Sequence, residues 1–277
     1  MNIDGSTQIV GVFGSPITHT ASPAMHNAAF AALKMNWAYL PFHVEPQNLK
    51  AALTGVRDMN FRGVNLTVPH KLLALDIVDE VDAQARKLGA VNTVVVEAGK
   101  LRGFNTDGYG FSKAIKEDFD MPLKGKRVLI LGAGGAGRAI ATQCRLDGAA
   151  KVIVANRTAA KIQSDVQAIG LTTIDLQRVI GEVDLLVNAT AVGLQPGEAL
   201  PVTREMFTPQ LAVYDTIYRP AETELMRLAT DAGSKVANGL SMLLHQGAKS
   251  FEIWTKRKAP LVVMRRALRA TVYGEPA

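Results

Sequence analysis

Three glycines in the middle of the chain have the spacing of a phosphate-binding turn. Gly132, Gly134 and Gly137 follow a short apolar run at residues 128–131 and precede good helix formers at residues 138–141. In this pattern the first glycine permits a tight turn, the second lets the backbone approach a pyrophosphate, and the third lets helix and strand pack closely. Glycine-rich turns are common, but the strand before this one and the helix after it favour dinucleotide binding over a purely structural turn. The predicted contacts come from Gly132, Ala133, Gly134, Gly135 and Ala136.

The end of the next predicted strand indicates which dinucleotide binds. Residues 151–155 repeat the apolar strand pattern, and Asn156, Arg157 and Thr158 follow directly. A site for NAD normally carries an acidic residue here, which accepts hydrogen bonds from the ribose, and this strand end carries none. A guanidinium grips a phosphate with two hydrogen bonds, and Lys161 adds a second positive charge. A solvated basic loop is the alternative, but we predict a site for the 2′-phosphate of NADP.

Polar side chains also follow the predicted strands of the N-terminal third. Thr20 and Ser22 lie between the first strand and a helix, where hydroxyls and free N–H groups suit a carboxylate. The simpler interpretation is that Ser22 is the N-cap of that helix. Lys71 follows the third strand, and Asp107 lies in a glycine-rich stretch at residues 103–110 that predicts a junction. Taken alone, such a lysine is usually a solvated charge and such an aspartate a turn former.

The elements that must position these residues alternate between strand and helix, which predicts an α/β chain. Residues 71–88 are predicted to contain helical segments, and residues 239–255 are predicted to be helical because their apolar positions recur at helical spacing. We expect four strands in the first third of the chain, at residues 8–13, 37–44, 62–67 and 91–97.

We predict two domains. An α/β substrate-binding and catalytic domain comprises residues 1–107 and 240–277, and is discontinuous because the last helical stretch returns the chain to it. A Rossmann-type, doubly wound NADP-binding domain covers residues 108–239. We expect the active site in the cleft between the two.

Composition excludes several other classes of protein. The 277 residues are 48% hydrophobic and 20% charged, which is typical of a globular chain with a large core. No apolar run approaches the roughly 18 residues of a membrane span, and the first residues lack the pattern of a signal peptide. Cys144 is the only cysteine, which excludes an internal disulfide and favours a reducing cytoplasm. The net charge of +6 is scattered, which fits an enzyme with anionic ligands better than nucleic-acid binding. The histidines lack a shared metal-ligand spacing, so we predict no metal.

Eight motifs in order resemble the shikimate dehydrogenase family over nearly the whole chain. The glycine turn is only one feature of this resemblance, and eight ordered motifs are far more specific than that turn alone. They are Gly14-Ser-Pro-Ile-Thr-His19 with Ser22-Pro23 and His26-Asn27, residues 65–71, Gly89-Ala-Val-Asn92-Thr93, Asn105-Thr-Asp107, Asn156-Arg-Thr158, Asn188-Ala-Thr190, Asp215 with Tyr218-Arg-Pro220, and Gly239-Leu-Ser-Met242-Leu with Gln246.

The resemblance implies reversible reduction of 3-dehydroshikimate by NADPH in aromatic amino-acid biosynthesis. It gives Lys71 the role of proton donor and acceptor and pairs it with Asp107, which also binds ring hydroxyls. A positioned cation suits this chemistry because hydride addition builds negative charge on the carbonyl oxygen. By the same resemblance the substrate-binding residues are Thr20, Ser22, Asn65, Thr67, Asn92, Asp107, Tyr218 and Gln246. Those near the nicotinamide are Thr190, Thr216, Gly239 and Met242. The partners are then small molecules, with no nucleic acid or membrane, and the chain is a monomer or homodimer.

One residue departs from the family pattern. Thr20 stands where the family usually has serine, so the hydroxyl remains but a methyl group enters the carboxylate site. Quinate carries an extra hydroxyl on the carbon that bears the carboxylate, and the methyl should crowd it. We therefore predict shikimate over quinate. The alternatives are a quinate/shikimate dehydrogenase of broader scope that uses NAD, and a non-catalytic NADP-binding regulator.

Overall fold

The computed structural model describes residues 3–158, 166–195 and 197–276, and within them the chain alternates between strands and helices. The strands are β1 Gln8–Gly14, β2 Trp37–His43, β3 Gly63–Leu66, β4 Glu80–Val81, β5 Thr93–Glu97, β6 Lys100–Phe104, β7 Arg127–Leu131, β8 Lys151–Asn156, β9 Gln167–Gly170, β10 Leu185–Asn188, β11 Ala212–Asp215 and β12 Lys235–Asn238. The helices are α1 Ser22–Ala32, α2 Leu49–Asp58, α3 His70–Leu73, α4 Ala83–Leu88, α5 Asp107–Phe119, α6 Gly135–Leu146, α7 Thr173–Ile180, α8 Glu224–Asp231, α9 Leu240–Thr255 and α10 Leu261–Tyr273.

The chain divides into two units. Unit 1 comprises Met1–Gly110 and Leu243–Ala277, and unit 2 comprises Phe111–Met242. Both divisions fall inside helices, α5 and α9, close to the predicted limits at residues 107 and 240. The assignment of substrate to one domain and NADP to the other stays a prediction at this stage.

Unit 1 contains a mixed six-stranded sheet in the order β2-β1-β3-β5-β6-β4. β1 pairs in parallel with β2 and β3, and β5 is antiparallel to both β3 and β6. One core cluster includes Phe13, Leu49 and Val64. A second group of aromatic rings joins α1 to α9, where Phe30 packs on Phe251 with ring centroids 5.3 Å apart. The carboxyl ends of β1 and β3 therefore meet at one edge of a well-buried sheet.

Unit 2 is a doubly wound sheet of six parallel strands in the order β12-β11-β10-β7-β8-β9. Leu129 and Leu131 of β7 face one core cluster, while Val128 and Ile130 face another, so this central strand is buried on both faces. The α/β class and the Rossmann-type arrangement predicted from the sequence are confirmed. The strand order reverses between β7 and β10, which is where such sheets bind ligands.

Three local features of unit 1 differ from what the sequence predicted. The stretch 103–110 ends where the chain passes from unit 1 to unit 2, as predicted, but it is not irregular, because β6 extends to Phe104 and α5 begins at Asp107. Gly103 is needed for close packing inside the strand: a Cβ there would lie 2.8 Å from a methyl carbon of Val91. The stretch 71–88 contains helical segments, as predicted, in α3 and α4, but also the short strand β4, which was not predicted and which pairs with β6.

The third correction concerns the start of α1. Ser22 is not its N-cap, since Ala21 occupies that position and no side chain caps the helix. Ala21 already has near-helical angles, φ −94° and ψ −6°, so the helix begins one residue earlier than predicted and the Ser22 hydroxyl is not in the capping position.

Within the described residues, no helix combines the length and the apolar character that crossing a membrane requires.

Candidate active site

An ion pair between Lys71 and Asp107 is the chemical centre of unit 1. Lys71 is the second residue of α3, directly after β3, and Asp107 is the first residue of α5, where the helix dipole favours a negative charge. Lys71 Nζ lies 2.8 Å from Asp107 Oδ2, and the two side chains are 30% and 12% exposed. The ammonium group is thus held by a largely buried carboxylate while part of the lysine remains accessible. Such a group can pass a proton to a bound oxygen.

Asn92 fixes the second oxygen of this carboxylate. Its Nδ2 donates to Asp107 Oδ1 at 2.9 Å, and its Oδ1 accepts the backbone N–H of Thr106 at 2.8 Å. The backbone N–H of Asp107 donates to Asn105 Oδ1 at 2.9 Å. Asn92 is only 2% exposed, so the carboxylate is oriented from inside the unit and not by solvent.

Asn65 and Gln246 join the same cluster from β3 and α9. Asn65 Oδ1 accepts the hydroxyl of Tyr39 at 2.8 Å, and its Nδ2 lies 3.0 Å from the carbonyl oxygen of Asn92. Gln246 Oε1 lies 3.4 Å from Asn92 Nδ2, a long contact, while its Nε2 donates to the Leu243 carbonyl at 2.9 Å. The structure therefore brings five of the predicted residues into one connected group: Asn65, Lys71, Asn92, Asp107 and Gln246.

The predicted carboxylate-binding hydroxyls, Thr20 and Ser22, lie between β1 and α1, and Thr67, predicted to complete the pocket, follows β3. The backbone N–H of Ser22 contacts Thr20 Oγ1 at 3.4 Å at the start of α1. Thr67 is anchored next to β1 by a hydrogen bond from its backbone N–H to the Phe13 carbonyl at 2.9 Å. Tyr218 is the exception among the predicted substrate residues, since it lies in unit 2 after β11.

The glycine turn of unit 2 has the shape that a pyrophosphate requires. Gly132 has φ +102°, and a Cβ on Gly137 would lie only 2.0 Å from the carbonyl oxygen of Gly132. Gly134 and Gly135 have open space where a Cβ would stand, and they lead into the N-terminus of α6. The first and third glycines, Gly132 and Gly137, are thus needed for close backbone packing, while the second, Gly134, leaves room for a ligand. The turn therefore fits a bound dinucleotide.

The residues after β8 have the chemistry predicted for a 2′-phosphate site. Asn156 Oδ1 accepts the backbone N–H of Ala133 at 3.4 Å, which ties this loop to the glycine turn. Arg157 and Thr158 are exposed, and among the described residues Arg157 has no ion-pair partner. Lys161 lies outside the described residues.

The predicted nicotinamide residues surround the ends of β10 and β11. Asn188 Oδ1 accepts the hydroxyl of Thr190 at 2.7 Å, and Asn188 Nδ2 donates to Asp215 Oδ1 at 3.0 Å. Burial raises the pKa of Asp215, partly offset by three hydrogen bonds to its carboxylate. A Cβ on Gly239 would lie 2.1 Å from the Thr216 carbonyl oxygen, so the chain passes close to β11 here. Met242 packs against the core cluster of β7 and α6.

Sequence reasoning missed several buried polar residues that support the site. Thr93 and Thr106 stand inside the recognised motifs without an assigned role, while Tyr39 and Ser250 stand outside them. All four are at most 1% exposed and bond to Asn65 or Asn92. The only signal in the sequence for such a residue was a hydroxyl side chain within an otherwise apolar stretch. No group of His, Cys, Asp and Glu in the part of the chain that is described could hold a metal ion.

Comparison with known proteins places these features in one family. Residues 12–94 match the family model of the shikimate dehydrogenase substrate binding domain, residues 113–201 that of shikimate / quinate 5-dehydrogenase, and residues 239–269 that of the shikimate 5'-dehydrogenase C-terminal domain. The shikimate dehydrogenase (NADP(+)) of Desulforamulus reducens is 44% identical over 98% of this chain and 97% of its own length.

Solved structures agree with this relationship. The crystal structure of shikimate 5-dehydrogenase from Thermus thermophilus with NADP(H) and shikimate is 40% identical, with a TM-score of 0.87 over 96% of this chain and 100% of that one. Quinate dehydrogenase from Corynebacterium glutamicum, in complex with NAD, is 30% identical, with a TM-score of 0.88 over 95% of this chain and 99% of that one.

Proposed function

The chain belongs to the shikimate dehydrogenase family, and we propose that it is an NADP-dependent shikimate dehydrogenase, which interconverts 3-dehydroshikimate and shikimate. The observation that carries this proposal is the Lys71–Asp107 pair, with Nζ and Oδ2 2.8 Å apart. The pair lies in the unit that matches the family's substrate-binding model and is fixed by Asn92. A proton donor held in one orientation is what reduction of a carbonyl needs.

Lys71 carries the proton in this reaction. NADPH, when bound, would supply the hydride. Lys71 Nζ donates a proton to the substrate's carbonyl oxygen as negative charge develops on it. In the oxidation direction the same nitrogen takes the proton from the hydroxyl. Asp107 keeps the lysine in place and accepts hydrogen bonds from ring hydroxyls of the substrate. Thr20 and Ser22 bind its carboxylate, and the pocket is completed by Asn65, Thr67, Asn92, Tyr218 and Gln246.

Unit 2 holds the cofactor in this proposal. The open space at Gly134 and Gly135 accommodates the pyrophosphate, and Arg157 binds the 2′-phosphate. No acidic residue stands at the end of β8 to bind a free ribose hydroxyl pair, which favours NADP over NAD. The remaining contacts come from Gly132, Ala133, Ala136, Asn156, Thr158, Lys161, Thr190, Thr216, Gly239 and Met242.

The enzyme is also proposed to act in the cytoplasm, as a monomer or a homodimer. The single cysteine of the sequence, which allows no internal disulfide, supports a reducing compartment. Size-exclusion chromatography with light scattering distinguishes the two oligomeric states.

Nicotinamide absorbance on the purified protein tests the function, with shikimate or quinate crossed against NADP or NAD. We expect shikimate with NADP to give a kcat/KM at least about tenfold above each other pairing, because the Thr20 methyl crowds quinate and a single pocket group commonly discriminates by that much. Comparable efficiency with quinate or NAD would indicate the broader enzyme. Absence of turnover in every pairing would favour the non-catalytic NADP-binding regulator. Binding measurements with NADP and NAD would then test that alternative.

A further inference from the structure

A buried hydroxyl on α9 lies behind the Lys71–Asp107 pair. Ser250 is completely inaccessible to solvent. Its Oγ lies 2.8 Å from Thr93 Oγ1 and 3.2 Å from Thr106 Oγ1, and it accepts from Asn65 Nδ2 at 3.0 Å. It also lies 3.1 Å from the Gln246 carbonyl one turn earlier on its own helix. One hydroxyl thus joins α9 to β3, to β5 and to the residue before α5.

Both threonines pass this contact on to Asn92. Thr93 Oγ1 donates to Asn92 Oδ1 at 2.9 Å, and Thr106 Oγ1 accepts from Asn92 Nδ2 at 2.9 Å, which is shorter than its 3.2 Å contact with Oδ1. Because each hydroxyl has one proton, Ser250 can donate to only one of the two threonines: we take the shorter contact, so Thr93 accepts the Ser250 proton, while Ser250 accepts from Thr106 and from Asn65. Asn92 Oδ1 therefore faces two donors, the Thr93 hydroxyl and the Thr106 backbone N–H, and the Nδ2 end of the same amide is directed at Asp107 and at Thr106 Oγ1.

We propose that Ser250 is a positioning residue for the reaction. It donates its one proton to Thr93, whose own hydroxyl proton then points towards Asn92, and it accepts from Thr106. Asn92 in turn holds the carboxylate of Asp107 against Lys71. The inference rests on the proposed function and extends it to a helix that the catalytic pair does not occupy. Ser250 itself is completely buried and acts only through these neighbours.

Ser250→Ala tests this role, with Thr255→Ala as the matched control. Thr255 is on the same helix and its hydroxyl also bonds to the carbonyl one turn earlier, that of Phe251 at 2.8 Å, but it has no contact with Asn92 or its threonines. We expect Ser250→Ala to lower kcat with shikimate about tenfold, with the KM for NADP unchanged, and Thr255→Ala to change neither.

A second variant separates hydrogen bonding from packing. Ser250→Cys fills the same space with a much weaker donor, so its kcat should stay as low as that of Ser250→Ala. Recovery of kcat in Ser250→Cys, or equal kcat values in Ser250→Ala and Thr255→Ala, would overturn the proposal.

An NMR measurement keeps the test independent of turnover. The side-chain amide signal of Asn92, assigned by its loss in Asn92→Asp, should move in Ser250→Ala and stay in place in Thr255→Ala. An unmoved signal in Ser250→Ala would refute the positioning role even if the wild-type protein proved inactive with shikimate. Absence of wild-type turnover together with a moved signal would count against the proposed function alone.

Discussion

Two ion pairs of similar length differ in what their surroundings allow them to do. Arg127 and Asp184 lie 2.9 Å apart on the surface of unit 2, where solvent and salt limit such a pair to about 0–1 kcal/mol of stability. Lys71 and Asp107 are less exposed, and both carboxylate oxygens of Asp107 are engaged. The inner pair therefore fixes the direction of a proton donor, and that orientation is its contribution to catalysis.

Arg157 provides a residue-scale test of the cofactor assignment. Arg157→Ala should raise the KM for NADP roughly ten- to hundredfold, because a charge-assisted hydrogen bond to phosphate contributes about 1.5–3 kcal/mol. The KM for NAD should stay almost unchanged, since NAD lacks the 2′-phosphate. Steady-state kinetics with both cofactors measure the difference.

The control for that experiment is Arg178→Ala, which removes a largely exposed arginine on α7 of the same unit. Both KM values should stay at the wild-type level in this variant. An equal rise in the KM for NADP and for NAD in Arg157→Ala would show that Arg157 does not bind the 2′-phosphate.

The candidate site was predictable where each residue belongs to a local motif. Lys71 and Asp107 lie 36 positions apart in sequence, yet both stand in motifs that the family resemblance covers. Ser250 lies 185 positions from Asn65, in a helix whose apolar spacing predicts only a buried face. Nothing local distinguishes such a hydroxyl from one that simply bonds to its own helix, as Thr255 does. The hydrogen-bond network that supports the site could therefore be identified only from the structure.

At the scale of the element, two glycines three residues apart in the turn between β7 and α6 have different roles, one in ligand binding and the other in packing. A Cβ on Gly137 would meet the Gly132 carbonyl at 2.0 Å, whereas a Cβ on Gly134 meets nothing within 4 Å. Gly134 also has φ −72° and ψ −172°, which alanine adopts without strain.

Gly134→Ala and Gly137→Ala should therefore behave differently. Gly134→Ala should keep the wild-type melting temperature and raise the KM for NADP, because the added methyl occupies the space proposed for the pyrophosphate. Gly137→Ala should lower the melting temperature by several degrees, since backbone must shift and about 1–3 kcal/mol is lost. Thermal unfolding and cofactor kinetics on the two variants measure both quantities. The turn would not be a phosphate site if Gly134→Ala bound NADP as the wild type does.

The strands differ in how well they can be predicted from their own residues. The strands of unit 2 are short apolar runs that parallel pairing buries on both faces, and their local pattern was sufficient. β6 was missed because Gly103 resembles a turn signal. The glycine is instead part of the strand, where a side chain would collide with Val91 and Val78. β4 has two residues and exists only through its pairing with β6. Such elements depend on partners distant in sequence.

At the scale of the molecule, one buried histidine should make stability depend on pH. His26 is fully buried, stacks on Tyr39 with ring centroids 4.3 Å apart, and neither ring nitrogen has a hydrogen-bond partner among the described residues. Burial lowers the pKa of His26 to about 3, against about 6.5 for a free histidine. The other rings around it belong to Phe30, Phe251 and Trp254.

The unfolded chain therefore takes up a proton below pH 6.5 that the folded unit does not. The stability that His26 contributes is complete above that pH and is lost as the pH falls towards 3, by about 2 kcal/mol between pH 7 and pH 5. His26→Leu should make this slope shallower, whatever its effect on stability at pH 7, and the slope that remains should come from groups such as His70, whose pKa burial also lowers. His19→Leu, at an exposed position, should retain the wild-type slope.

Urea unfolding followed by tryptophan fluorescence measures this pH dependence. Both tryptophans, Trp37 and Trp254, lie in unit 1 together with His26, so the signal reports the relevant unit. Equal pH slopes in the wild type and His26→Leu would contradict the assignment of the effect to this histidine.

The most direct test of the catalytic assignment is kcat for Lys71→Ala with shikimate and NADP, beside Lys87→Ala. Lys87 is an exposed lysine on α4 of the same unit, so its removal should leave turnover unchanged. We expect Lys71→Ala to lower kcat by about 10²–10⁴-fold with little change in the KM for shikimate, because the proton is transferred only in the transition state. A kcat in Lys71→Ala close to that of Lys87→Ala would show that the Lys71–Asp107 pair does not carry the proton.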